Sequence, residues 1–89
     1  MDFEWDPEKA GLNEQNHGVS FFEAREVFGD DLSLAVPDPD HSEGEARFLI
    51  FGQSIDGRHV VVSYTERGNR IRLISAREMT SRERKAYEQ

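Results

Sequence analysis

Residues 70–77 read Arg-Ile-Arg-Leu-Ile-Ser-Ala-Arg. Arginines alternate with apolar residues at the start of this run, the two-residue period of a strand with one dry face. It leads into Met79-Thr80-Ser81-Arg82-Glu83, where Thr80 can cap a helix and Glu83, three residues on, completes a capping box. The helix expected from Ser81 to about Tyr87 adds Arg82, Arg84 and Lys85. One strand and one short helix therefore concentrate the cations of the chain and end on a tyrosine. An anionic substrate would be met here, and the upstream chain reads as the scaffold that holds this strand.

Working back, Arg67-Gly68-Asn69 is a turn, preceded by a strand from His59 to Thr65. Val60, Val62 and Tyr64 share one face of it, and His59, Val61, Ser63 and Thr65 the other. Asp56-Gly57 is a two-residue hairpin signal joining it to a strand from Arg47 to Ile55. Gly52 inside that strand marks a bulge or a close approach. Before it, Pro37 to Glu45 form an acidic loop, and Leu32, Leu34 and Val36 alternate as another strand. Phe21, Ala24, Val27 and Phe28 fall at helical spacing behind a Ser20/Glu23 capping box, with Gly29 ending that helix. A more polar helix runs from Asp6-Pro7 to His17, closed by Gly18, after a short first strand at Phe3-Glu4-Trp5. The order is β-α-α-β-β-β-β-α. The fold class is α+β, an antiparallel meander with both early helices on one face.

Eighty-nine residues suit one domain, 1–89, with a modest core. The absence of cysteine excludes a disulfide framework and thiolate metal sites. No apolar run approaches the length of a membrane span, and no secretory signal opens the chain, so a cytoplasmic protein without a membrane partner is expected. The net charge of −7 is unevenly spread. Residues 1–45 carry 13 acidic and 2 basic side chains; residues 46–89 carry 5 and 9. Halves of opposite sign point to two surfaces with different partners, unless the fold interleaves them.

Arg58, Arg67, Arg70, Arg72 and Arg77 lie on the last two strands or their turns. Guanidinium forks match phosphate oxygens, so these groups either bind an RNA backbone or form a solvated face paired with the acidic helices. Strict alternation sends Arg70 and Arg72 one way and Arg77 the other, unless the strand ends or bulges first. His17 is either an acid–base group or a cation at a helix C-terminus. Glu66 is a base or an ordinary turn residue. Tyr87 is a hydroxyl donor or an apolar anchor. The acidic loop lacks the glycine and glutamate spacing of a calcium loop.

Taken in order, these pieces resemble the BrnT toxins of type II toxin–antitoxin pairs. The matching residues are Phe3-Glu4-Trp5-Asp6-Pro7, Lys9, Asn13, His17-Gly18-Val19-Ser20-Phe21, Glu23-Ala24 and Val27-Phe28. They continue through Asp38, Asp40-His41-Ser42, Glu45-Ala46-Arg47-Phe48, Gly57-Arg58 and Tyr64-Thr65-Glu66-Arg67. Arg72-Leu73-Ile74-Ser75-Ala76-Arg77, Glu83 and Tyr87 close the match. The resemblance implies a RelE-like fold and a metal-independent endoribonuclease that needs no cofactor, cuts RNA, inhibits translation and serves a bacterial stress response. It implies a BrnA-type ribbon-helix-helix antitoxin, in a hetero-oligomer that binds operator DNA. It carries over Lys9, His17, Arg67, Arg72, Arg77 and Tyr87 as site residues. One departure is Asn16, where the family usually has lysine, which removes a cation beside the site.

Without a metal, the expected route is attack of the substrate's own 2′-hydroxyl on the adjacent phosphorus. That requires a base (His17 or Glu66), an acid (Tyr87 or a histidine) and cations (Lys9, Arg72, Arg77) at the phosphate. Arg58, Arg70, Arg82, Arg84 and Lys85 would extend the RNA contact. The competing class is a non-catalytic or inactivated binding module that engages only a protein partner such as an antitoxin.

Overall fold

A parallel pair sets the architecture: the first strand, β1 (Asp2–Glu4), lies beside the last, β5 (Arg70–Glu78), with Phe3 opposite Ile71. The computed structural model describes residues 1–88. Between those strands come α1 (Pro7–His17), α2 (Phe21–Glu26) with a 3-10 turn over Val27–Gly29, β2 (Leu34–Pro37), β3 (Arg47–Gln53) and β4 (His59–Arg67). The chain closes with α3 (Ser81–Tyr87). The five-stranded sheet has the order β1-β5-β4-β3-β2, and β2 to β5 form an antiparallel meander.

The helices begin and end where local chemistry directs. Asp6 accepts the Glu8 N–H at the start of α1, Ser20 accepts the Glu23 N–H at the start of α2, and Thr80 and Glu83 complete a capping box at α3. Gly18 ends α1 at φ 69, a left-handed conformation open to glycine at little cost.

Phe21, Ala24 and Val27 pack on Ile50, Val60, Val62, Tyr64, Leu73 and Ala76, which register places on one sheet face. Trp5 sets its edge against Phe21 and Phe22, and Phe28 bridges Phe3 and Tyr64. The opposite face carries Arg47, Thr65, Arg67, Arg72 and Arg77, and α3 lies at one end of it.

Several boundaries differ from the sequence reading. Trp5 lies beyond β1, β2 begins at Leu34 and includes Pro37, and the β3–β4 connection spans residues 54–58. A two-residue turn at Asp56-Gly57 would set Arg47 opposite Glu66; the longer connection sets it opposite Thr65 and so reverses its face. Gly52 is a close approach, since a Cβ there would stand 2.9 Å from Val27 Cγ1 and 3.0 Å from Asp30 Oδ2. The sheet's irregularity lies in β5 instead: Ser63 pairs with Ser75 and Tyr64 with Leu73, leaving Ile74 as the extra residue. That bulge decides the parity question, because Arg72 now faces the same way as Arg77, opposite Thr65 and Val61 respectively.

Candidate active site

Four cations meet at the β4–β5 turn end of the sheet. Arg67 closes β4, Arg72 lies across from Thr65, Arg47 flanks Thr65 on the other side, and Lys9 reaches in from α1. With Asp6, Glu45, Thr65, Leu73 and Ile74 they line a cleft of about 90 Å³. Lys9 arrives because α1 runs along the part of β5 that the short β1 leaves uncovered. The buried Asn13 pins it there: its amide donates to the carbonyls of Val19 and Ala76 and accepts the Ala76 N–H.

Two of these cations are already engaged. Arg67 forks onto both Glu45 oxygens at 3.0 and 3.3 Å, and Arg72 Nη1 meets Glu4 Oε2 at 2.9 Å. The bond to Arg67 holds the Glu45 carboxyl below its ordinary range, and the Glu45 bond raises Arg67 in return.

A second group lies farther along the same face. Arg77 makes a two-pronged contact with Glu83 at 2.7 and 2.9 Å, which holds the Glu83 carboxyl near 2. Tyr87 donates its hydroxyl to Asp30 Oδ2 at 2.8 Å and sets its ring edge on His59. Burial, then the Asp30 contact, pushes the Tyr87 hydroxyl up to about 12. Burial also favours protonation of Asp30, but N–H donors from Gln53 and Leu32, with Tyr87, outweigh it and hold that carboxyl low. His59 is six residues, roughly 20 Å, along β4 from Thr65, so Tyr87 and the Arg67–Arg72 cleft stand at opposite ends of the sheet.

The remaining candidates are dispersed. Glu66 pairs with Ile71 and so faces away from Arg67 and Arg72. His17 is exposed at the end of α1. Arg58 braces the junction of the first two helices, donating to the Gly18 carbonyl at 3.1 Å with Glu23 at 3.4 Å. Arg70 is exposed beside β1, Arg82 and Lys85 are exposed on α3, and Arg84 pairs with Glu88. Among the described residues, no three histidine or carboxylate side chains gather as a metal site.

The sequence reading assigned no role to Arg47, Glu45, Asn13 or Asp30. The signal for Arg47 was its parity with Thr65, readable only with the β3–β4 register in hand. Asn13 left a fainter one, a polar residue in the narrow stripe of a polar helix.

The family model described as the ribonuclease toxin BrnT of type II toxin–antitoxin systems matches residues 5–83. No curated protein matches. Among solved structures, the 1.1 Å crystal structure of the Brucella abortus ribonuclease toxin BrnT superposes with a TM-score of 0.72 at 19% identity. That match covers 91% of this chain and 99% of the Brucella chain, which shows a shared fold. The family match takes in both the β5 strand and the α1 helix that together shape the cationic cleft, and this chain belongs to the BrnT ribonuclease toxins of type II toxin–antitoxin systems.

Proposed function

We propose that this chain is a RelE-like endoribonuclease that arrests translation by cutting RNA without a metal ion, and that Lys9, Arg67 and Arg72 hold the scissile phosphate. The observation that carries this reading is the convergence of those three side chains on one cleft from α1, β4 and β5. Cations fixed around a phosphate stabilise the charge that grows on it as the substrate's 2′-hydroxyl attacks. His17, the base of this route, would like Arg77 and Tyr87 act from outside the cleft, since Gly18 beside it is bound by Arg58 at the other end of the sheet; Glu66 faces away from Arg67 and Arg72. Arg77 and Tyr87 would act on the substrate at a distance from the cleft, or after α3 shifts. Arg58, Arg70, Arg82, Arg84 and Lys85 would contact flanking RNA. The partner would be a BrnA-type ribbon-helix-helix antitoxin that masks the toxin in the cytoplasm and carries the complex to operator DNA.

The experiment is RNA cleavage by the purified chain with and without chelator, on substrates with and without a 2′-deoxy nucleotide at the cut site. Cleavage that survives chelation and stops at the 2′-deoxy position supports this route. Cleavage abolished by chelator and restored by magnesium or manganese rejects it.

A specific observation favours the binding-module reading: Arg67, Arg72 and Arg77 are each occupied by a carboxylate, and Asn16 puts no lysine at the end of α1. A chain that cleaves no RNA yet binds the antitoxin tightly would establish that class.

A further inference from the structure

The cationic cleft is not uniformly occupied. Arg67 and Arg72 are held by Glu45 and Glu4, whereas Lys9 and Arg47 enter no ion pair among the described residues. Arg47 is held firmly by its main chain while its side chain is left unpaired. Its N–H donates to Ser42 Oγ at 3.0 Å, and its carbonyl accepts the Asp38 N–H at 2.9 Å. Ala46, between Glu45 and Arg47, is tied to the sheet by Thr65 Oγ1, which donates to its carbonyl at 2.7 Å. Glu45 and Arg47 therefore flank one anchored residue, and both line the cleft. Glu45 also feels the positive charges of Arg47 and Arg72 after that of Arg67.

A carboxylate and a phosphate offer a guanidinium fork the same two-oxygen edge. The Glu45–Arg67 pair is exposed, with side-chain exposures of 43% and 48%, so water screens it and it is easily exchanged. We propose that Arg47 is a further phosphate-binding residue of this cleft, and that Glu45 is an internal stand-in that an incoming phosphate displaces from Arg67. The phosphate lands on the unpaired Lys9 and Arg47, then takes the fork that Glu45 releases. This rests on reading the cleft as the RNA phosphate site.

The test is equilibrium binding of a 2′-O-methyl RNA oligonucleotide, which lacks the attacking hydroxyl, with inorganic pyrophosphate as a second probe. Glu45→Gln should tighten binding roughly two- to fivefold, since an exposed pair no longer has to open. The same change should give no gain in an Arg67→Gln background. Arg47→Gln should weaken binding and lower the slope of log affinity against log salt by about 0.7, the signature of one lost single-strand phosphate contact. Melting curves of each variant establish that it is folded. Binding indifferent to Glu45→Gln, an equal gain without Arg67, or a parental salt slope in Arg47→Gln overturns the proposal. Pyrophosphate binding with these dependences but no RNA binding supports the exchange and sinks the RNA reading. Binding of neither probe overturns both.

Discussion

The side-chain amide of Asn13 pairs with the main chain of Ala76, accepting its N–H at 3.0 Å and donating to its carbonyl at 2.9 Å. A helix side chain thus completes the edge that β1 leaves open after Arg72, and it is the one buried residue of α1. Since α1 has few apolar contacts, this amide does much to fix where Lys9 sits.

Asn13→Ala should therefore destabilise the fold by about 2–3 kcal/mol, because it strands buried groups of Ala76 and Val19 without partners. Denaturant melts check this. A loss below about 0.5 kcal/mol would mean that α1 is docked by other contacts.

Gly52→Ala places a methyl 2.9 Å from Val27 Cγ1 and 3.1 Å from Ser33 Cβ. Overpacking of this kind costs about 1–3 kcal/mol. Since Asp30 Oδ2 is 3.0 Å away and holds Tyr87, the variant should also loosen α3, read as faster amide exchange over 81–87.

Glu83 has a folded-state carboxyl near 2 against an ordinary 4.5, with the Arg77 hydrogen bond as the first cause. A depressed acid contributes its full stability above the unfolded value and loses it as pH falls. The parent should therefore exceed Glu83→Gln in stability above about pH 4.5, and the gap should close as pH drops toward about 2. With the Arg77 side chain 41% exposed, the gap at neutral pH should be about 1 kcal/mol. Melting temperatures of both proteins across that range measure it, and a gap independent of pH would reject the assignment.

Arg72→Ala should lower RNA cleavage roughly 10²–10³-fold, the loss expected of one transition-state donor. Its structural cost should stay within about 1 kcal/mol, as only the Glu4 pair is lost. Arg25→Ala, on α2 and stacked over Phe22, is the control and should cleave as the parent does. Tyr87→Phe separates the two roles of that residue. The lost Asp30 bond costs about 1 kcal/mol in either case; an anchor role spares cleavage by the folded variant, whereas an acid role lowers it.

The elements legible in the sequence are those whose causes lie within a turn of the chain. Asp6 with Glu8, Ser20 with Glu23, and Thr80 with Glu83 meet two or three residues apart. Residue identity alone thus determines where each helix starts, and strand parity alone groups Val60, Val62 and Tyr64 on the face of β4 that meets the helices. Tertiary structure decided what depends on register and on distant partners. The bulge at Ile74 brings Arg72 and Arg77 to one face, and the five-residue connection after β3 turns Arg47 toward Thr65. Each slip of one residue reverses a side chain, and local propensity does not choose between such slips; packing of the whole sheet does. The same holds for the arginines. Arg72 finds Glu4 and Asn13 finds Ala76 across more than 60 residues of chain, contacts that exist only once β5 lies between β1 and β4, with α1 along its edge.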